Sequence, residues 1–333
     1  MVQISCRSNL KGSDPFRLGV VRNVVAIAIA APWVVWAVVR TLGLELPYPF
    51  VALLAFTPYA ALSSPLPVIA GLLLRRKAIA AAAGVAVVAF AVALVPRTAA
   101  GPEPEAQGPR ITVMTSNLYL GRGDARALLR IARQHDVDVL AVQELRPPLM
   151  RRLDRVGALE QFPYRAVDPR DGASGSGVLS RIPVRVTDTT PDGNAHAQPE
   201  VEITVAGAPP VRIKSVHPAP PVNPTAAPLW RDSLAALPGS DSRGDVRIMA
   251  GDFNATLDHP ELRDLLDRGY TDAADAVGKG LVWTWPARRL RAPPLTIDHV
   301  LVDRRVRVER VTVVQIPGSD HRAVIAELRL PRK

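Results

Sequence analysis

The chain has 333 residues, 48% of them hydrophobic, which suffices for one large domain or two ordinary ones and excludes both a disordered chain and a small disulfide scaffold. A lone cysteine, Cys6, permits no internal disulfide and no cysteine-rich zinc site. The formal charge of +10 suggests a nucleic-acid or acidic-membrane partner, yet residues 1–100 hold nine basic side chains against two acids, and the remaining 233 residues only 32 against 29.

That front end is apolar. Charge-free runs of 17, 29 and 19 residues cover 23–39, 46–74 and 78–96, and a bilayer core takes about 20 apolar residues per helix. Three transmembrane helices in residues 1–96 is the economical reading. Pro47, Pro49, Pro58, Pro65 and Pro67 interrupt the second run and leave a re-entrant pair as an alternative. Arg7, Lys11, Arg17 and Arg22 precede the first run, and Arg75-Arg76-Lys77 lie between the second and third. The positive-inside rule then puts the N-terminus in the cytoplasm and everything after Arg97 outside. Residues 97–109, dense in Pro, Gly and Ala, read as a linker to a domain over 110–333.

In that domain, 111–116 and 137–142 read as buried strands around a helix at 124–134. Further strands are predicted at 177–179, 183–186, 200–205, 211–216, 246–250, 297–302, 308–314 and 323–328, with helices at 228–237 and 259–268. Many short strands with few helices suggest two packed sheets with helices outside, an α/β sandwich.

The polar residues able to do chemistry sit at predicted strand ends. Asn117 and Glu144 close the first two strands, His217 follows 211–216, and Asp252 and Asn254 follow 246–250. Asp298 opens 297–302, and Asp320-His321 precede the last strand. Singly, each has a plain explanation: a turn cap for Asn117, Asx turns for Asp252 and Asn254, a solvated loop acid for Glu144. Together they suggest that one sheet edge collects them.

The segments Thr115-Ser116-Asn117, Gln143-Glu144, 177–183, Gly251-Asp252-Phe253-Asn254, Ile297-Asp298-His299-Val300 and Ser319-Asp320-His321 resemble the endonuclease/exonuclease/phosphatase superfamily, the DNase I-like fold, across nearly all of 110–333. The resemblance implies a four-layer α/β sandwich and metal-dependent hydrolysis of a phosphate ester. It implies Glu144 as the carboxylate ligand of Mg²⁺ (or Mn²⁺), Asn117 beside it as ligand or orienter, and Asp320 supporting the metal or its waters. It further implies Asp252 as the group that orients or deprotonates water, Asn254 and His217 as donors to the phosphate, and His321 as an imidazolium paired with Asp298. Some relatives carry a second acid two residues after the Asn, where this chain has Tyr119, so a single-metal site through Glu144 is expected. His299 is expected to be structural.

Charge is interspersed over 110–333, with clusters only at Arg288-Arg289-Arg291 and Arg304-Arg305-Arg307, and Trp283 and Trp285 are rim candidates. A nuclease calls for a basic stripe with stacking aromatics, so nucleic acid is the disfavoured partner. A linker of about 13 residues reaches at most ~45 Å, which holds the domain near the outer leaflet and favours a lipid-linked phosphate. A membrane-anchored bacterial subgroup linked to glycopeptide resistance is similar in this arrangement and implies a polyprenyl-phosphate carrier or another envelope phosphoester. The alternatives are a surface nuclease and a catalytically inactive sensor or binding module.

Overall fold

The computed structural model describes residues 15–188, 196–241, 243–287 and 292–333. By contact they form two units: one from residues up to Leu42 with Pro58–Ala91, the other from Gly43–Thr57 with Val92–Lys333. The front of the chain forms helices α1 (Pro15–Leu42), α2 (Phe50–Leu53), α3 (Thr57–Ser63), α4 (Pro65–Leu73) and α5 (Lys77–Leu94).

In the first unit Ala37, Ala86 and Phe90 form a small core beside Ala60 and Ala61, and the Trp33 indole donates to Ser63 Oγ (3.0 Å). Small residues let helix backbones approach closely, as membrane bundles require. Outward-facing side chains are apolar, with Leu62 and Leu73 about four-fifths exposed. Phe16–Leu42 and Lys77–Thr98 are long and apolar enough to cross a membrane. The run 46–74, expected as one span, is not one helix. Its prolines break it, and the Phe50–Ser63 and Pro65–Leu73 segments meet at 49° and count as a third span only if taken together.

The second unit is a four-layer α/β sandwich. Its strands are β1 (Arg110–Asn117), β2 (Val139–Gln143), β3 (Tyr164–Asp168), β4 (Ser176–Ser180), β5 (Val184–Asp188), β6 (Glu200–Ile203), β7 (Val211–Val216), β8 (Val246–Asp252), β9 (Tyr270–Asp272), β10 (Asp298–Asp303), β11 (Arg307–Gln315) and β12 (Arg322–Arg329). They make two mixed six-stranded sheets, ordered β11-β12-β1-β2-β4-β3 and β5-β6-β7-β8-β10-β9. Side chains alternate across each strand. On β1, Ile111 and Val113 face the inter-sheet core with Val139, Ile213, Ile248 and Val300, while Met114 points outward. There it packs under α6 (Ala125–Gln134) and α7 (Pro147–Arg155), next to the short α8 (Ala158–Gln161). The other sheet is covered by α9 (Ala226–Ala235) and α10 (Pro260–Asp267), where Trp230, Leu262 and Leu265 are fully buried against Met249 and Leu301; a single turn, α11 (Ala273–Ala276), completes the unit.

Five of these elements were not predicted: α7, the single turns α8 and α11, and strands β3 and β9. Helix α7 begins at Pro147-Pro148, a pair that reads as loop but suits a first helical turn, whose N–H groups have no partner inside the helix. Strand β3 lies at a sheet edge and β9 has only three residues, so neither shows a buried apolar run.

Two stretches of the front end belong to the second unit. Residues 97–109, expected as a linker, lie along it: Gly101 N donates to Ala276 O (2.9 Å), Glu103 pairs with Arg307 (2.5 Å), and Gly108 N donates to Leu330 O (2.9 Å). Arg97 binds Asp258 through both Nη atoms, 3.0 and 2.8 Å, with the two side chains only 8% and 1% exposed. Arg97→Ala strands a buried carboxylate and is expected to lower unfolding stability by about 3–5 kcal/mol, read as a drop in thermal midpoint; an unchanged midpoint would show the pair to be dispensable.

Residues 43–57, read from sequence within the membrane region, also pack on this unit. Val51 is fully buried in the Trp230 and Phe253 cluster, and Arg231 reaches both the Leu46 carbonyl (3.1 Å) and Glu45 (3.5 Å). His259 joins this segment to the sandwich. Its Nδ1 accepts from Thr256 N (2.9 Å), and the ring also hydrogen-bonds the Val51 backbone. Burial outweighs Asp258 and these bonds and pushes its pKa down to about 4. An unfolded histidine takes up a proton below about 6.5 that folded His259 refuses until about 4. Stability is therefore full above the higher value and falls as pH drops through the lower, by at most about 1.4 kcal/mol per pH unit. Thermal midpoints from pH 7.5 to 4.5 should fall more steeply for wild type than for His259→Gln; parallel curves would refute the assignment.

Candidate active site

Strand direction explains why the polar residues meet. β1 and β2 run parallel, as do β7 and β8, so Asn117, Glu144, His217 and Asp252 all emerge at carboxyl ends. β12 and β10 run antiparallel to β1 and β8, so their beginnings, preceded by His321 and opened by Asp298, come to the same edge. Asp298 pairs in register with Asp252. Gly251 permits the tight approach of β7, since a Cβ there would lie 1.9 Å from Val216 O.

All eight expected residues converge, and one hydrogen-bonded chain links most of them. Asn117 Nδ2 donates to Glu144 Oε1 and to Asp252 Oδ2, both at 3.0 Å, and so bridges the sheets. Asp252 Oδ1 accepts from Asn254 N (2.9 Å), and Asn254 Nδ2 donates to Pro218 O (3.0 Å). His321 Nδ1 lies 2.9 Å from Asp298 Oδ2, and its Nε2 lies 3.7 Å from Asp252 Oδ2. His217 Nε2 is 3.9 Å from that same oxygen. Ser319 ties the last loop down, its Oγ donating to Asn117 O (2.7 Å) and accepting from His321 N (3.0 Å). Glu144 and Asn254 have φ of 55° and 49°. Such left-handed backbone costs of order 1 kcal/mol or more for a residue other than glycine and collects at functional sites.

Electrostatics separate these groups. Burial alone favours a neutral His321, but Asp298 and Asp252 outweigh it and push its pKa up to about 10, leaving an imidazolium at neutral pH. Burial and the Asp298 charge push Asp252 up to about 7. His217 is held well below the ordinary value by burial, then by His196 and His321, and is neutral. His299, as expected, is structural: its nitrogens are taken by Asp272 Oδ2 (2.7 Å) and Ala255 O (2.9 Å).

A cation fits beside this network. Asp320 Oδ1 is buried and without a hydrogen-bond partner among the described residues, while Oδ2 accepts from Trp285 Nε1 (3.3 Å). Burial raises the pKa of Glu144, and the nearby Asp320 charge raises it further. Two partly desolvated carboxylates facing one cleft suit a hard divalent ion. Asp252, Asp298 and His321 also lie within ligand distance of one another, but His321 Nδ1 is already engaged by Asp298.

Glu144, His217, Asp252, Asn254, Asp320 and His321 line one cleft of about 580 Å³, and Asn117 and Asp298 stand behind them. Trp285 lines it too, whereas Trp283 stacks on the Arg322 guanidinium (4.6 Å). Arg305 and Arg307 pair with Asp303 and Glu103, away from the cleft. Arg288, Arg289 and Arg291 lie outside the described residues. Sequence reasoning missed several cleft residues, His196, Tyr48 and Phe56 among them. The His196 ring lies 4.7 Å from that of His217, tilted by 57°, but His196 ends no strand, and Tyr48 and Phe56 fall in a stretch that reads as membrane.

The sequence model of the endonuclease/exonuclease/phosphatase family matches residues 114–321. No curated protein sequence matches the chain. Among solved structures, an endonuclease/exonuclease/phosphatase from Beutenbergia cavernae superposes with a TM-score of 0.52 at 18% identity, covering 67% of this chain and 72% of its own. D. rerio TDP2 complexed with a single-strand DNA product also gives 0.52, at 16% identity, covering 66% and 98%. At these identities the likeness is one of fold.

Proposed function

The chain belongs to the endonuclease/exonuclease/phosphatase family, and from that premise we propose that it is a membrane-anchored, divalent-metal-dependent phosphoesterase acting on a lipid-linked phosphate ester or phosphodiester outside the cytoplasm. The observation that carries this is the cleft itself, where the two carboxylates Glu144 and Asp320 face the network of Asp252, Asn254 and His321. Glu144 and Asp320, with Asn117 holding Glu144, would bind Mg²⁺ or Mn²⁺, which supplies charge neutralisation at the phosphoryl group. Asp252 in its carboxylate form takes the proton of the attacking water. The His321 imidazolium, kept charged and oriented by Asp298, donates to a non-bridging phosphoryl oxygen. Asn254 and His217 stand on the same wall as further donors.

The membrane topology rests on a parity argument. Residues 43–57 and 92–333 form one compact unit, so they share one side of the membrane. Between them the chain crosses an even number of times. α5 would be one crossing, and the bent pair, from α3 through α4, would supply the other. With α1 that makes three spans, as in the membrane-anchored subgroup the sequence resembles. By the positive-inside rule the flank that carries Arg75-Arg76-Lys77 would be the cytoplasmic one.

A second reading, a surface nuclease, draws on a depression of about 1100 Å³ next to the cleft. Arg122, Arg126, Arg146, Arg152 and Arg155 line it, and Leu120 borders both. Arginines in that position suit a polyanion. Full-length protein in detergent, given lipid monophosphates, lipid diphosphates and plasmid DNA with Mg²⁺, should consume the lipids faster and stop with EDTA. DNA cleavage at equal or greater rates would establish the nuclease, and activity surviving EDTA would defeat the metal assignment. A periplasmic-type reporter fused after Lys333 should be active, and a reporter active only in the cytoplasm would reverse the topology.

A further inference from the structure

The catalytic cleft combines polar and apolar lining. Its floor carries the acids and histidines already described, but most of its exposed lining is apolar. Trp285, Leu295, Ile297 and Val222 belong to this apolar lining. Tyr48, Ala52, Ala55 and Phe56 belong to it too, and these come from the segment 43–57, which follows α1 directly and runs into α3.

This segment is held in place for reasons unrelated to catalysis. Val51 is buried in the outer core, Arg231 grips the Leu46 carbonyl and Glu45, and His259 binds the Val51 backbone. A segment so anchored is a fixed wall. It contains no Lys or Arg, and its single charge, Glu45, is engaged by Arg231. A wall without cations gives nothing to a polyanion, whereas Tyr48, Phe56, Trp285 and Ile297 around a phosphate-binding floor suit an apolar group attached to that phosphate.

We infer that the segment 43–57 is a specificity element of the active site: Tyr48, Ala52 and Phe56 form the apolar wall that receives the alkyl or prenyl chain of a lipid phosphoester while its phosphate lies on Glu144, Asp320 and His321. The inference rests on the phosphoesterase reading and adds the part of the chain that selects the substrate. Removing the aromatic ring at Phe56 or filling the cleft at Ala52 weakens binding of a long chain more than that of a short one.

The test uses full-length protein in detergent and two probe series with matched head groups: butyl and hexadecyl phosphate, and the p-nitrophenyl phosphodiesters of the same two alcohols. Wild type should favour the hexadecyl member of whichever series it hydrolyses by about tenfold or more in kcat/KM. Phe56→Ser and Ala52→Trp, with thermal midpoints checked against wild type, should each cut the hexadecyl-to-butyl ratio by about tenfold, chiefly through the KM of the long chain. Hydrolysis indifferent to chain length in wild type would overturn the inference and leave the phosphoesterase reading standing, as would variants that lose both probes equally. Failure on both series together with cleavage of DNA would overturn the lipid-phosphoester reading itself, and the inference with it.

Discussion

Glu144→Gln is expected to lower turnover of any substrate by about 10³-fold while leaving the fold in place. The side chain sits at the end of β2 with its backbone in the left-handed region, accepting from Asn117 Nδ2 on one oxygen and from Leu120 N on the other. Glutamine keeps the shape and one acceptor but loses the negative charge a cation needs. Burial and the neighbouring Asp320 charge already oppose ionisation of Glu144, so deleting its charge relieves repulsion in the metal-free protein. The thermal midpoint in EDTA should therefore stay near the wild-type value. Wild type should gain stability as Mg²⁺ is added, because a ligand that binds only the folded state raises its stability, and the variant should gain little. Turnover within tenfold of wild type, or an undiminished Mg²⁺ shift, would remove Glu144 from the metal site.

The second large effect is expected at His321. His321→Asn should reduce kcat by about 10²- to 10⁴-fold, with a smaller change in KM, since the imidazolium is placed to meet charge that develops during reaction. It should also cost stability, because Asp298 and Asp252 are both 2% exposed and lose the cation between them. Asp298→Asn acts through His321 as a positioning change, and it should lower kcat less than loss of the ring does. The double variant should be no slower than His321→Asn alone, the non-additivity expected when one group works through the other. Additive losses would mean that Asp298 and His321 act separately.

The site was legible because its residues punctuate apolar runs. Asn117, Glu144, His217, Asp252 and Asp298 each adjoin a strand that is almost wholly buried, so a short apolar run bounded by an acid, amide or imidazole marks both strand end and chemistry. Asp320-His321 were equally plain beside β12. His196 carried no such mark, since its place beside His217 depends on a loop rather than on a strand of its own. Asn117 reads as a turn cap, and its Oδ1 does accept from Tyr119 N (2.9 Å). Its Nδ2 bridge to Glu144 and Asp252 depends on two sheets meeting, which local pattern cannot express.

The front end divides the same way. Composition and charge alone identified an apolar, basic-flanked region and a nearly neutral α/β domain, because burial in lipid or in a core demands apolar runs whose lengths are written along the chain. Membership of 43–57 in the α/β unit was invisible there. Leu46, Val51 and Phe56 look alike whether lipid or protein covers them, and only long-range packing against Trp230, Arg231 and His259 distinguishes the two. Hydrophobic pattern records that a side chain must leave water. Which surface removes it from water is decided by residues as far as 185 positions away, and that decision turned a stretch expected in the membrane into part of the lining of the candidate active-site cleft.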